Sequence, residues 1–576
     1  MELLFNIFQK NPVSHYINVK LVLQNVQQKK IVLLLPRWRP GRYELGNFSK
    51  NIQNFKAYNS EGKNLLVIKP NSYSWEIFND NGDGKIVVEY NYYANEYNAG
   101  ACFADENILY FNPVHLLMYP ALTDTKPKFK IKLNVPKEYK IISSLKFKNN
   151  IIETRDYDEL LDSPIVATKF FKTFSYKIDE IKFYVHTINT HGHYLDTEKT
   201  KKDFEQFSKQ ILKFWGTAPF KEYHFIIHLL PYHYYHGVEH LKNTVIVLGP
   251  YHQIMDKLYN ELLGVASHEL FHAWNIKTLR PKQMYPYNYY TENYSELGFV
   301  YEGFTTYYGD KLLWQSNLFN DEQFFLCINE RLNRHYINYG KFSQSLLNSS
   351  IDTWVDGYSN HAPHKKVSIY DEGCILAMMM DMYLLYKTNK RKSLRDVLLK
   401  LYDHQINQKQ PYTLHDLIQA FVEFTKDETD MIFFDKTLLF PNDYLPFFKE
   451  IISHFGLIIQ YTESSNFWER FFGFKVNEQS GRFFVSHIIP DSPAFYKLSL
   501  NDEILAINQC TAKDIFSDKK VSFSKQIELI IQRFQKIQKV IIDADKTRTY
   551  YHTLSIQAKT QMNPKEKVLF IHYKKI

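Results

Sequence analysis

The chain has 576 residues, 45% of them hydrophobic and 23% charged, which is too long for one core and ordinary for a folded multidomain protein. Its net charge of +8 comes from Lys and Arg scattered along the sequence, so composition excludes the basic footprint of a nucleic-acid binder. The longest apolar runs, residues 31–35 and 374–380, are far too short to span a bilayer, so no membrane partner is expected.

Residues 1–175 alternate short β-rich runs with turn residues, as in YINVKLVLQNV, KIVLLLP and KIVVEYNYYA, and predict antiparallel sheets in a sandwich-like domain. Within them, residues 35–43 (LPRWRPGRY) contain a Pro-Gly pair that predicts a turn, with a structural role weighing more than one that exposes its cations and aromatics. The first twenty residues lack a basic segment followed by a long apolar one. Four cysteines (Cys102, Cys327, Cys374, Cys510) lie far apart without CxxC pairing. Both features fit a cytoplasmic protein with reduced thiols.

From about residue 176 the pattern becomes mixed. Strands are predicted over 180–189 and 223–231 with a helix over 200–216 between them, and helices dominate from 254 to about 455. Residues 268–272 read His-Glu-Leu-Phe-His. In a helix, His268 and His272 lie four residues apart on one face and can grip one zinc ion. Glu269, between them, is placed to act as general base on water. The run 256–275 is free of Pro and has its only Gly at 264, which suits a helix.

With 22 His in the chain, HExxH can arise from composition, so a third ligand matters. Glu302 lies thirty residues beyond His272, in the aromatic stretch LGFVYEGFTTYY that opens a second helical run to about Gln315. A lone carboxylate buried there would be costly, and a metal satisfies it. The set His268, His272 and Glu302 then predicts one zinc per chain with an open position for water.

After about residue 456 the β pattern returns. Phe471-Phe-Gly-Phe474, then RFFVSHII, then Pro490-Asp-Ser-Pro-Ala494 and LNDEILAIN (500–508) resemble a PDZ domain. The first stretch would be its loop for a peptide C-terminus. Asn501 stands where such domains usually carry Gly, a tolerable change because Asn also accepts positive φ.

Together these pieces resemble the glycyl aminopeptidase family of zinc peptidases over essentially the whole chain. The likeness is longest at His268-Glu-Leu-Phe-His-Ala-Trp-Asn-Ile-Lys-Thr-Leu-Arg-Pro281, and residues 35–43 and Leu160-Leu-Asp-Ser-Pro164 look like further family signatures. The architecture it implies is multidomain α+β. An N-terminal β-sandwich-like domain (1–175) is followed by a thermolysin-like zinc peptidase domain with a helical subdomain (176–455) and a PDZ-like domain (456–576).

The resemblance also gives roles to two motifs. Gly237-Val-Glu-His240 is similar to the family's Gly-Gly-x-Glu-His, with His236 in place of the first Gly. Gly237 and Glu239 would bind substrate, Glu239 by holding its free α-ammonium group. Tyr370-Asp-Glu-Gly373 resembles the Tyr-x-Lys-Gly of aminopeptidases, whose phenol donates to the oxyanion, with Glu372 replacing Lys. The implied activity is removal of small N-terminal residues, such as Gly or Ala, from peptides with a free N-terminus. Were Glu239 turned from the cleft, an endopeptidase would result. A non-catalytic PDZ-type binding protein is the other alternative, and the intact ligands and base argue against it.

Overall fold

A computed structural model describes residues 1–80, 82, 84–121, 127–154, 156–359, 361–517 and 525–576. They form two compact units that interleave along the chain. The first comprises Met1–Asn320, Ser350–Asn360 and Leu394–Lys426; the second comprises Asp321–Ser349, His361–Ser393 and Asp427–Ile576. No helix among the described residues is long and apolar enough to cross a membrane.

The first unit opens with sheets, as the period-2 runs predict. A six-stranded sheet runs in the order Ile151–Thr154, Lys128–Asn134, Glu2–Phe8, Tyr16–Gln24, Lys85–Tyr93, Ile52–Tyr58. Alternate residues of its strands (Leu3, Phe5 and Ile7; Val19, Leu21 and Leu23) enter one core with Ile31, Leu33, Trp75 and Ile77 of a four-stranded sheet. One pairing departs from the antiparallel expectation: Glu2–Phe8 runs parallel to Lys128–Asn134. The long stretch of chain between these strands allows the crossover that a parallel pair needs.

A five-stranded mixed sheet follows, in the order Phe171–Ile178, Ile181–Ile188, Glu222–Leu229, Asn243–Gly249, Tyr234–Glu239. The middle three are parallel, and Glu222–Leu229 and Asn243–Gly249 are almost wholly buried, as strands covered on both faces are. Helix Thr197–Trp215 is held at its start by Asp196, whose side chain accepts from Lys199 N. Helix Tyr259–His272 packs against strands Tyr234–Glu239 and Asn243–Gly249 and against helix Thr305–Gln315.

In the second unit, helix Asp321–Ile337 packs against helix Asp371–Lys387 and against strand His552–Ala558. Asn333 exchanges two hydrogen bonds with Leu554, each 2.8 Å long, and Ile556 N donates to Asn329 Oδ1 at 2.8 Å. The C-terminal strands form an antiparallel sheet (Phe474–Gln479, Arg482–Ile488, Glu503–Ile507, Gln526–Arg533, Lys536–Asp543) with one six-residue helix, Ala512–Ser517, between described strands. Asn501 has φ +67°, the conformation anticipated for it. Residues 468–472 coil into a π-helical turn closed by Gly473, and Phe474 begins a strand. Helix Pro564–Lys575 was not anticipated. Its signal is Asn563-Pro-Lys-Glu566, a capping box with Pro at the first turn.

Candidate metal centre

His268 and His272 project from the last turn of helix Tyr259–His272, and their Nε2 atoms approach to 2.9 Å. Glu302 sits in a π-helical turn, Phe299–Phe304, that leads into helix Thr305–Gln315. The extra residue of such a turn re-aims side chains, a device common at functional sites. Glu302 Oε2 lies 3.4 Å from His272 Nε2 and 3.9 Å from His268 Nε2. One ligand atom from each of the three falls within 4.8 Å of the others. His272 and Glu302 are buried, whereas the His268 side chain is 21% exposed, so the cluster is open on that side.

The helix's exit fixes the imidazole of His272. Its Nδ1 lies 3.0 Å from Asn275 O, which assigns the proton to Nδ1 and leaves Nε2 free to bind a metal. Asn275 Nδ2 in turn donates to Val300 O and Thr305 Oγ1, tying this exit to the Glu302 turn. Trp274 donates to Thr217 O, and its ring stacks on Trp215. The Trp-Asn-x-Lys sequence after HExxH is therefore the brace of the cluster.

Glu269 points to the same place. Its Oε2 is buried without a hydrogen-bond partner, and burial raises its carboxyl well above the usual carboxylate range, against partial relief from His272. Glu239, at the end of strand Tyr234–Glu239, is 4% exposed and its Oε1 is buried with no donor. Glu239, Glu269 and His272 also bring ligand atoms within 4.8 Å of one another. Gly237 lies where a side chain would collide with Glu269 and Val265, so its bareness lets the two elements meet. His236 sits on the same edge strand, and burial lowers its pKa to about 3.

Sequence reasoning missed the part played by the turn at residues 35–43. Its structural reading agrees with the burial of Trp38, Arg39 and Tyr43, whereas the exposed reading does not. The Tyr43 hydroxyl donates to Glu302 Oε1 at 2.7 Å, and Gly41, with φ +82°, lies so close to Glu239 that any Cβ would strike its carboxylate. Trp354 packs edge-on against Trp38 and Tyr43, and the Tyr358 hydroxyl accepts from Tyr43 N at 3.3 Å. The aromatic and cationic content of the turn was legible. Its destination, some 260 residues downstream at Glu302, was not.

A second brace centres on Asp162, in the Leu160–Pro164 signature. Its carboxylate accepts from His240 Nδ1 (3.0 Å), Leu241 N (2.8 Å) and Lys277 Nζ (2.6 Å). Burial works against its charge, but Lys277 and His240 outweigh that and hold its pKa well below the usual range. Three chain segments meet at this one side chain, and one of them ends in Glu239.

Tyr370 belongs to the second unit, half-buried at the head of helix Asp371–Lys387. Glu372, the departure from the family's Lys, is buried against His335, whose Nδ1 lies 2.8 Å from Glu372 Oε2 and whose Nε2 lies 3.2 Å from Asp443. The acid thus has a local imidazole partner.

Residues 5–169 match the Peptidase M61 N-terminal domain, and residues 261–376 match M61 glycyl aminopeptidase. These matches support a metallopeptidase, and the second spans every residue of the cluster except Glu239. No curated protein matches the sequence. Among solved structures, an aminopeptidase N family protein from Idiomarina loihiensis is 22% identical, with a TM-score of 0.88 over 98% of this chain and 99% of that one, and shares the fold. An M1 zinc metallopeptidase from Deinococcus radiodurans is 12% identical, with a TM-score of 0.44 over 74% of this chain and 90% of that one.

Proposed function

We propose that the chain is a zinc aminopeptidase that removes small residues such as Gly or Ala from peptides with a free N-terminus. The observation that carries the reading is Glu239. A buried carboxylate oxygen without a donor, beside Glu269 and His272, calls for a cation, and a peptide's α-ammonium group supplies one.

The residues present fit zinc. Two imidazoles and a carboxylate converge, with the second nitrogen of His272 and the second oxygen of Glu302 each held by a protein group, as metal ligands require. Zinc bound there supplies the Lewis acidity that polarises the scissile carbonyl and acidifies water for attack. Glu269 takes the water's proton on its unbonded Oε2 and passes it to the leaving amine. Glu239 fixes the N-terminus, so that the first peptide bond falls beside Glu269. Tyr370 as oxyanion donor is supported by its sequence motif. So is a peptide C-terminus as ligand of a PDZ-like module over 456–576, and so is the division of the chain at 175 and 455.

Purified protein should carry one zinc, and Glu239→Gln tests the rest. The substitution should lower kcat/KM for Ala and Gly amides by about tenfold or more, the scale of a lost charge-assisted contact. N-acetylated peptides should remain resistant to the native protein. Equal cleavage of free and acetylated peptides would replace the aminopeptidase reading with an endopeptidase one.

A further inference from the structure

Arg39 is only 6% exposed, yet among the described residues its guanidinium has one hydrogen-bond acceptor, the carbonyl of Pro40 at 3.1 Å. The group lies flat against Gly100 and borders a pocket of about 150 Å³ whose wall also carries Arg42 and Lys50. The pocket's two acids are already engaged. Glu44 pairs with Arg42, and Glu96 accepts from Asn98 Nδ2. His115 lines the same space and stays neutral, because burial and the nearby Arg39 push its pKa down to about 3.

A guanidinium cannot shed its proton, and a buried one short of acceptors is costly to keep. Among the described residues, no hydrogen bond or ion pair joins Arg39 to His268, His272 or Glu302, so ligation gives it no task. Glu239 offsets its charge through space without a direct ion pair, whereas Arg42 adds to the positive field. Several donors of a rigid fork therefore border a small pocket whose wall carries Arg42 and Lys50 beside the engaged acids Glu44 and Glu96.

We propose that this pocket binds a carboxylate group, with Arg39 as the forked donor and Arg42 and Lys50 supplying the attracting field. The carboxylate has two possible sources: the C-terminal group of a very short peptide, or a free small carboxylate. The inference rests on the pocket itself. Only the assignment to a peptide terminus rests on the aminopeptidase reading.

The test is calorimetric titration of the metal-loaded protein with sodium acetate at fixed ionic strength. Arg39→Gln should weaken acetate binding about tenfold or more, as expected for loss of a charged donor. Lys50→Glu, on the exposed rim, should weaken it several-fold while leaving the fold intact, so the idea stays testable even if Arg39→Gln does not fold. Acetate that competes with Ala-Ala but not with Ala-Ala amide identifies the site as one for a substrate terminus. Acetate that alters turnover of both, only while Arg39 is present, identifies a free anion. Absence of acetate binding, or binding indifferent to both substitutions, overturns the proposal. Because the titration needs no turnover, failure of the aminopeptidase reading would be seen separately.

Discussion

On the proposed zinc reading, two single side chains separate metal binding from chemistry. Glu269→Gln leaves His268, His272 and Glu302 untouched but removes the proton acceptor. Hydrolysis should fall by about 10²–10⁴-fold, the usual worth of a general base, while zinc content stays at one per chain by elemental analysis. A fully active, metal-loaded variant would refute the base assignment. Tyr43→Phe works from the other side, removing the O–H that orients Glu302 and leaving the ring's packing on Tyr301. Metal affinity should drop by about 10–100-fold in competition with a chelator, as for other outer partners of metal ligands. Unchanged affinity would reduce Tyr43 to a packing residue. Glu269 was legible because a helix repeats every 3.6 residues and the motif declares its own geometry. Tyr43 was not, because no local period links a turn near residue 40 with an acid at 302.

Among elements, the legible ones are those whose period is local. The helix holding HExxH, strands Ile181–Ile188 and Glu222–Leu229 of the five-stranded sheet and the Glu302 helix follow from residue spacing, and the π-helical turn was invisible because one extra residue leaves almost no trace in the pattern. The parallel partner of Glu2–Phe8 was equally hidden, since pairing across more than a hundred residues carries no sequence period. Asp162 is where such distant elements are bound together. Asp162→Asn removes the charge that pairs with buried Lys277 and loosens the strand ending at Glu239. KM for free-N-terminus peptides should rise more than kcat falls, with zinc retained; a uniform loss of activity and metal would signify collapse of the domain. The folded pKa of Asp162 is depressed, so the stability it contributes is present above about pH 4 and lost as pH falls further. The difference in Tm between the native protein and the Asp162→Asn variant should therefore narrow on acidification below about pH 4.

Over the whole molecule, buried histidines add to the pH dependence of stability on the acid side. His115, His186 and His228 are held near pKa 3, and His224 near 4, all chiefly by burial. Unfolded histidine titrates near pH 6.5, so each contributes stability that is complete above about pH 6.5 and is lost as pH falls toward its folded value. His335 has the opposite sign, its folded pKa being raised because Glu372 and Asp443 outweigh its burial. Unfolding near pH 5 should take up protons, and His228→Gln should remove about one of them, which is about 1.4 kcal/mol per pH unit of slope. An unchanged slope would mean that His228 is protonated in the native protein.

The interleaving of the two units carries a consequence for biosynthesis. The turn at residues 35–43 leaves the ribosome early, and His268, His272 and Glu302 follow, but Trp354 and Tyr358, which cover that turn, emerge only later. The first unit is not complete until Lys426 has been made. On the proposed zinc reading, a nascent chain would present His268, His272 and Glu302 before Trp354 and Tyr358 close over the turn at residues 35–43.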